Sequence, residues 1–245
     1  MSVTVAAHAK LTLTLRVTGV RADGYHLIDA EMVSLALADT LTIDPDHEGI
    51  TCDGPFASGT PIDASNLVAR ALELSGKSAG VNICKAIPHG GGLGGGSSDA
   101  AAVLRWAGYA DVVGAAAIGA DVPFCMVGGR ARVRGIGELV EPLPFEPLLI
   151  TLVIPPFSVS TLAVYRAWDE LGDPHSGPNE LEPAAIAVEP RLIEWRHRIE
   201  QAAGERPTLA GSGATWFLRG HHEVAAALPE AVVVQTETVR ATAKP

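Results

Sequence analysis

Gly90–Gly91–Gly92–Leu93–Gly94–Gly95–Gly96–Ser97, continued by Ser98–Asp99–Ala100–Ala101–Ala102–Val103–Leu104, is the stretch from which the rest of the chain can be read. Backbone without Cβ atoms can bring consecutive N–H groups against an anion. The Ser-Ser-Asp step reads as the N-cap of an apolar helix, whose free N–H groups and dipole also favour negative charge. A flexible linker is the plain alternative, but linkers are rarely followed at once by a capped helix. The pattern describes a phosphate cradle. It is not a Walker A loop, because no lysine follows the last glycine. A Rossmann fingerprint fits only loosely, since Pro88–His89 separate the strand Val81–Ile87 from the loop and Ser97 stands where a third glycine belongs. A dinucleotide-dependent dehydrogenase stays as a runner-up.

Outward from the loop, periodicity assigns the elements. Val3, Val5, Ala7, Ala9, Leu11, Leu13, Leu15 and Val17 share one parity, which predicts a half-buried strand or hairpin with Lys10 and Thr12 on its polar face. Arg21–Gly24 reads as a turn, and Val33 to Ile43 as a second strand. Helical spacing covers Asn66–Ser75, Thr161–Leu171 and Pro190–Ala203, each stopped by a glycine (Gly76, Gly172, Gly204). The loop helix is expected over Ser98–Gly108, and a further helix near Glu223–Leu228. Arg130–Arg134, Leu148–Ile154, Thr215–Leu218 and Val232–Gln235 read as strands. Pro142, Pro144 and Pro147 mark the expected domain boundary, and the second half suggests a split βαβ unit.

Composition narrows the class. A chain of 245 residues with 47% hydrophobic and 19% charged residues can bury a real core. A net charge of −10 disfavours nucleic acid or an anionic membrane as partner, while an anionic small molecule remains accessible to a local cradle. Three cysteines (Cys52, Cys84, Cys125) without metal spacing point to reduced thiols. With no signal pattern and no membrane-length apolar run, a cytoplasmic protein is expected.

Three further places hold residue types suited to phosphoryl transfer. Lys10 is a lone cation beside Thr12, and by itself equally a solvated strand lysine. Asp121 stands in the apolar stretch Gly119–Phe124, either capping a turn or poised as a base. Leu209–Thr215 is a second small-residue loop feeding a strand, which in isolation is an ordinary tight turn.

Together these segments carry a family resemblance. Pro88 to Ala101 resembles the phosphate loop of the GHMP small-molecule kinases, and Ala210–Gly211–Ser212–Gly213–Ala214 resembles their third motif. Ala9–Lys10–Leu11–Thr12–Leu13 with Arg21–Ala22–Asp23–Gly24–Tyr25–His26 is similar to the branch that acts on a cytidine diphosphate methylerythritol in isoprenoid synthesis. Gly119–Phe124, Ser158–Thr161 and Asn179–Glu182 extend the match, in family order, to about residue 217.

The resemblance implies a two-domain α+β GHMP kinase. A ribosomal-protein-S5-like ATP-binding domain would span residues 1–146 and a ferredoxin-like split βαβ domain residues 147–245. It implies ATP with Mg²⁺, and transfer of the γ-phosphoryl group to the substrate 2-hydroxyl. Lys10 and Asp121 take the catalytic positions. Pro88, His89, Gly90, Gly91, Gly92, Leu93, Gly94, Gly95, Gly96, Ser97 and Ser98 form the ATP loop, with Ser98 toward the metal. Thr12, Tyr25, His26 and Tyr165 would meet the substrate, the two tyrosines flanking cytosine and His26 at its edge, while Gly211, Ser212 and Gly213 brace the loop. The partner is then a small molecule, and the protein a monomer or homodimer. Thr12 replaces the family's usual asparagine, and both halves are somewhat short, which keeps a paralogue with another acceptor, or a non-catalytic sensor, in view.

Overall fold

The structure, a computed structural model, describes residues 1–172 and 177–241. Its first sheet is organised by two long strands, β1 (Val3–Val20) and β2 (His26–Asp44), joined by the turn at Arg21–Gly24 and paired antiparallel. The opposite edge of β2 is shared. Its first part pairs with β5 (Arg130–Gly135) and its last part with β4 (Gly80–Cys84). β3 (Gly49–Asp53) lies parallel to β4, and β6 (Leu139–Pro142) antiparallel to β5, completing six strands. Nearly all pairings are antiparallel, which removes the doubly wound parallel sheet that a dinucleotide dehydrogenase would need.

Packed with this sheet are α1 (Leu67–Ser75), α2 (Gly95–Trp106) and the short α3 (Val122–Val127). α1 follows the sequence closely: Asn66 Oδ1 accepts from Val68 N, and Gly76 closes the helix in the left-handed region. α2 corrects the sequence reading. It begins at Gly95 with Gly94 as N-cap, so Ser97, Ser98 and Asp99 lie inside its first turns and do not cap it. The expected strand Val81–Ile87 also ends early, at Cys84.

The second sheet runs β10–β7–β9–β8, all antiparallel, from β7 (Leu149–Ile154), β8 (Thr208–Leu209), β9 (Trp216–Arg219) and β10 (Val232–Glu237). α4 (Thr161–Leu171), α5 (Glu182–Val188) and α6 (Arg191–Ala203) accompany it. The helix expected near Glu223–Leu228 is only a single 3-10 turn at Ala225–Ala227. No helix of the described residues is long and apolar enough to cross a membrane.

An apolar seam joins the two sheets and fixes the loop. Ala9, Leu11, Leu13, Val33 and Leu35 of the long strands cluster with Ile150, Leu152, Ile154 and Phe217, and Ile87 and Leu93 on either side of the first glycines plug into the same cluster. Burying a leucine is worth about 1.5–3 kcal/mol. Leu93 therefore anchors the loop at its midpoint, between glycines on either side.

Candidate active site

Lys10 is the centre of the site, and β1 positions it. Register shifts between His8 and Lys10 and between Thr12 and Thr14 bracket the short run 10–12, where the strand is locally re-aimed. The Lys10 N–H donates to Leu93 O at 2.9 Å, stitching the glycine loop to the strand. The Lys10 side chain, only 8% exposed, lies 3.3 Å through Nζ from Asp121 Oδ2 and donates to Thr12 Oγ1 at 3.4 Å. Lys10 is thus no solvated strand lysine. Asp121 stands at the N-cap position of α3, its side chain 31% exposed and so reachable from solvent.

The glycine loop is shaped by what its glycines touch. Gly90, Gly92 and Gly94 have φ near +70°, where a side chain is strained. A Cβ would also collide on the inner side: Gly90 with Ser158 Cβ at 2.8 Å, Gly91 with Thr215 Oγ1 at 2.5 Å, Gly92 with Gly213 O at 2.9 Å and Gly94 with Lys10 Cγ at 2.7 Å. Absence of side chains here serves protein packing as much as any ligand. Pro88 and Leu93 are buried, and exposed His89 sets Nε2 2.9 Å from Thr60 Oγ1. Gly96 has open space but for Leu67 at 3.7 Å, and Ser97 is half-buried. Ser98 is turned inward, donating to His8 O at 2.6 Å and packing on Cys125, so its hydroxyl is engaged within the protein.

The second half braces this arrangement. Gly211 is left-handed, and its Cα side lies close to Thr12, with Oγ1 3.7 Å from where a Cβ would stand. Ser212 Oγ is 2.8 Å from Thr161 Oγ1 at the start of α4. Asn179 donates both amide hydrogens inward, to Leu209 O at 2.8 Å and Gly211 O at 2.7 Å. Its neighbour Glu180 accepts from Val17 N and pairs with Arg16, tying the same segment to β1. The Asn179–Glu182 segment thereby links the third motif to the strand that carries Lys10.

The aromatic residues assemble differently from a simple sandwich. Tyr25 is 58% exposed, its ring beneath the Arg21 guanidinium at 5.3 Å. His26 stacks on Tyr165 with centroids 4.6 Å apart, meets Trp168 edge-on at 5.7 Å, and sets Nε2 2.8 Å from Asp169 Oδ1. One face of Tyr165 is therefore covered by His26. Burial, and then the charge of Asp121, push the Tyr165 phenol above its ordinary pKa, so the ring lies within electrostatic reach of the Lys10–Asp121 pair.

Sequence reasoning missed one cluster behind the loop. Lys85, just past β4, pairs with both Asp39 of β2 and Asp99 of α2, and all three are buried. Burial drives the Asp99 carboxyl up to about 7; Lys85 pulls it down, and the charge of Asp39 adds to the rise. Burial works against the Lys85 ammonium too, but Asp99 and Asp39 outweigh it and hold its pKa above the usual value. A lone lysine between the strand and the apolar Ala86–Ile87 step that leads to Pro88 was the available signal. Among the described residues no three His, Cys, Asp or Glu side chains gather as a metal cage.

No family model matches the chain. The 4-diphosphocytidyl-2-C-methyl-D-erythritol kinase of Paracoccus denitrificans is 40% identical over 232 residues, covering 86% of this chain and 85% of that protein. The chain belongs to the 4-diphosphocytidyl-2-C-methyl-D-erythritol kinase family. A crystal structure of a 4-(cytidine 5'-diphospho)-2C-methyl-D-erythritol kinase, 31% identical, superposes with a TM-score of 0.77 over 97% of this chain and all (100%) of the other. A mevalonate kinase structure, 11% identical with a TM-score of 0.62, shares the fold. Membership makes the chain a small-molecule kinase of α+β GHMP architecture, and the Lys10–Asp121 pair beneath its glycine loop is the candidate active centre of this family member.

Proposed function

We propose that the chain transfers the γ-phosphoryl group of ATP to the 2-hydroxyl of 4-diphosphocytidyl-2-C-methyl-D-erythritol. The observation that carries this reading is the 3.3 Å Lys10–Asp121 pair, stitched through the Lys10 backbone to the glycine loop. The acceptor is a tertiary alcohol, a weak nucleophile. Asp121 accepts its proton as the oxygen bonds to phosphorus, the bond from the γ-phosphorus to the bridging oxygen breaks, and ADP leaves. Lys10 orients Asp121 and offsets the charge gathering on the acceptor oxygen, and the loop amides do the same for the phosphate oxygens. A binder without chemistry has no use for a carboxylate held this way, which weighs against a sensor.

Mg²⁺ would neutralise charge on the transferring group. Among the described residues the site offers the partly exposed carboxylate of Asp121 and no cage of metal-ligating side chains, a donor set suited to an ion carried chiefly by the nucleotide's phosphates. Inward-facing Ser98 does not fit as its ligand.

Residues 1–146 would form the ATP-binding domain with an S5-like core, and residues 147–245 a ferredoxin-like domain, a reading supported by the strand order β10–β7–β9–β8. The cytosine would lie near Tyr25, His26 and Tyr165. Thr12, bonded to Lys10, would face the acceptor in place of an asparagine. We place the enzyme in the cytoplasm as a monomer or homodimer. A coupled ADP-release assay over the cytidine diphosphate polyol, mevalonate, homoserine and galactose tests the reading. Turnover of the first alone is expected; turnover of another acceptor, or tight ATP binding with none, would replace it by a paralogue or a sensor.

A further inference from the structure

The buried cluster behind the glycine loop has a geometry that its stability alone does not explain. Lys85 Nζ donates to Asp39 Oδ2 and, at 2.7 Å, to Asp99 Oδ2. Asp39 Oδ1 accepts from the backbone N–H groups of Ala86 at 2.6 Å and Ile87 at 2.8 Å, the two residues before Pro88. Asp39 therefore grips the chain entering the loop, and Asp99 grips the helix leaving it. One ammonium joins them. The cluster also lies directly against α2, since a Cβ on Gly95 would stand 3.3 Å from Lys85 Nζ and 3.4 Å from Asp39 Oδ2.

Such a cluster is expensive. One cation faces two carboxylates out of water, and Asp99 Oδ1 has no hydrogen-bond partner. Apolar residues of similar size in place of a buried ion group are often neutral or stabilising. What ions provide and apolar contacts do not is direction: three charged groups with fixed hydrogen bonds hold the two stems in one register. A loop this rich in glycine has much conformational freedom to lose on binding, and holding its stems beforehand reduces that loss.

We infer that Lys85, with Asp39 and Asp99, is a positioning device that ties both stems of the glycine loop at one point and presets its amides for the nucleotide, without touching it. The inference rests on the reading that the loop binds ATP. All three residues are buried, and among the described residues none is hydrogen-bonded or ion-paired to Lys10 or Asp121.

The test measures binding of a non-hydrolysable ATP analogue by calorimetric titration, with steady-state KM for ATP and for the cytidine substrate alongside. Asp99→Leu cuts the tie, and about a 10- to 100-fold loss of analogue affinity is expected, with the acceptor KM and kcat at saturating ATP within about threefold of wild type. Asp99→Asn should restore affinity to within about threefold, because its amide oxygen still accepts from Nζ. Should Asp99→Leu not fold, the neutral triple variant Asp39→Asn/Lys85→Met/Asp99→Leu carries the same expectation without an orphaned charge. Unchanged analogue affinity in a folded variant overturns the inference, as does a parallel loss in all three parameters. Failure of both variants to fold would also overturn it, since the cluster would then support the whole first half. Failure of the wild-type protein to bind the analogue would instead remove the ATP reading itself.

Discussion

Gly94 and Lys10 are packed so closely that a Cβ on Gly94 would stand 2.7 Å from Lys10 Cγ, at a φ of +69°. A substitution there presses on the Lys10 side chain as well as on the loop. Gly94→Ala should therefore lower kcat at least about tenfold as well as weakening ATP, whereas a pure phosphate cradle would show the KM effect alone. Gly96→Ala, with only Leu67 in range at 3.7 Å, should leave thermal stability unchanged. Equal kcat in Gly94→Ala and wild type would break the link between loop and lysine.

Asp121→Asn should lower kcat by about 10²–10⁴-fold while ATP affinity holds, the usual cost of losing a general base. Lys10→Ala acts on the same 3.3 Å pair, so the double variant should be far from additive. Turnover in Asp121→Asn close to wild type would take Asp121 out of the proton transfer.

Base stacking gives a substrate-side prediction. Tyr165→Ala and Tyr25→Ala should each raise KM for the cytidine substrate by about 5- to 150-fold, the range for loss of one stacked ring, with KM for ATP unmoved. Tyr165→Phe should be nearly silent. Tyr25 is the cleaner probe, because its exposed ring contributes little to the core, whereas Tyr165 also carries His26. A rise in ATP KM from either variant would assign the rings to scaffolding.

Asp99 sets a pH dependence. Its carboxyl is raised to about 7 in the folded state from 3.8, so between those values the folded protein binds more protons than the unfolded chain. Stability from this group therefore falls as pH rises through that window, and the full cost of ionisation is present above it. Asp99→Asn removes the titration, and its Tm relative to wild type should climb between about pH 5 and about pH 8. A constant difference across that range would show that Asp99 stays ionised throughout.

Asn179→Ala strips two buried carbonyls, Leu209 O and Gly211 O, of their donor. Each unsatisfied acceptor costs about 1–3 kcal/mol, so a clear fall in Tm is expected together with weaker ATP binding through the Gly211 loop. A lower Tm with unaltered ATP binding would confine Asn179 to stability.

The sequence discloses elements wherever local chemistry decides them. α1, α4 and α6 have apolar helical spacing and end on Gly76, Gly172 and Gly204, all left-handed. The start of α2 is hidden because tertiary partners set it: Ser98 is drawn to His8 O and Asp99 to Lys85, which turns apparent capping residues into buried helix positions. Likewise β4 stops at Cys84 because Asp39, far away in sequence, captures the amides of Ala86 and Ile87. The turn at Ala225–Ala227 lacks apolar spacing, and Pro229 forbids its extension. Lys10 and Asp121 are legible as a pair only through the family resemblance, since no local pattern links a strand lysine to an aspartate at the start of a distant helix.

The crowded inner side of the loop bears on inhibitor resistance. Gly90, Gly91, Gly92, Gly94 and Gly95 each have protein atoms within 3.3 Å of where a Cβ would sit, from both halves of the molecule. A compound bound against the backbone of this loop would press on a surface whose sequence has almost no room to drift. Escape by substitution at Gly90, Gly92 or Gly94, where φ is positive and a Cβ would stand within 3.0 Å of protein atoms, would distort the loop that the compound grips.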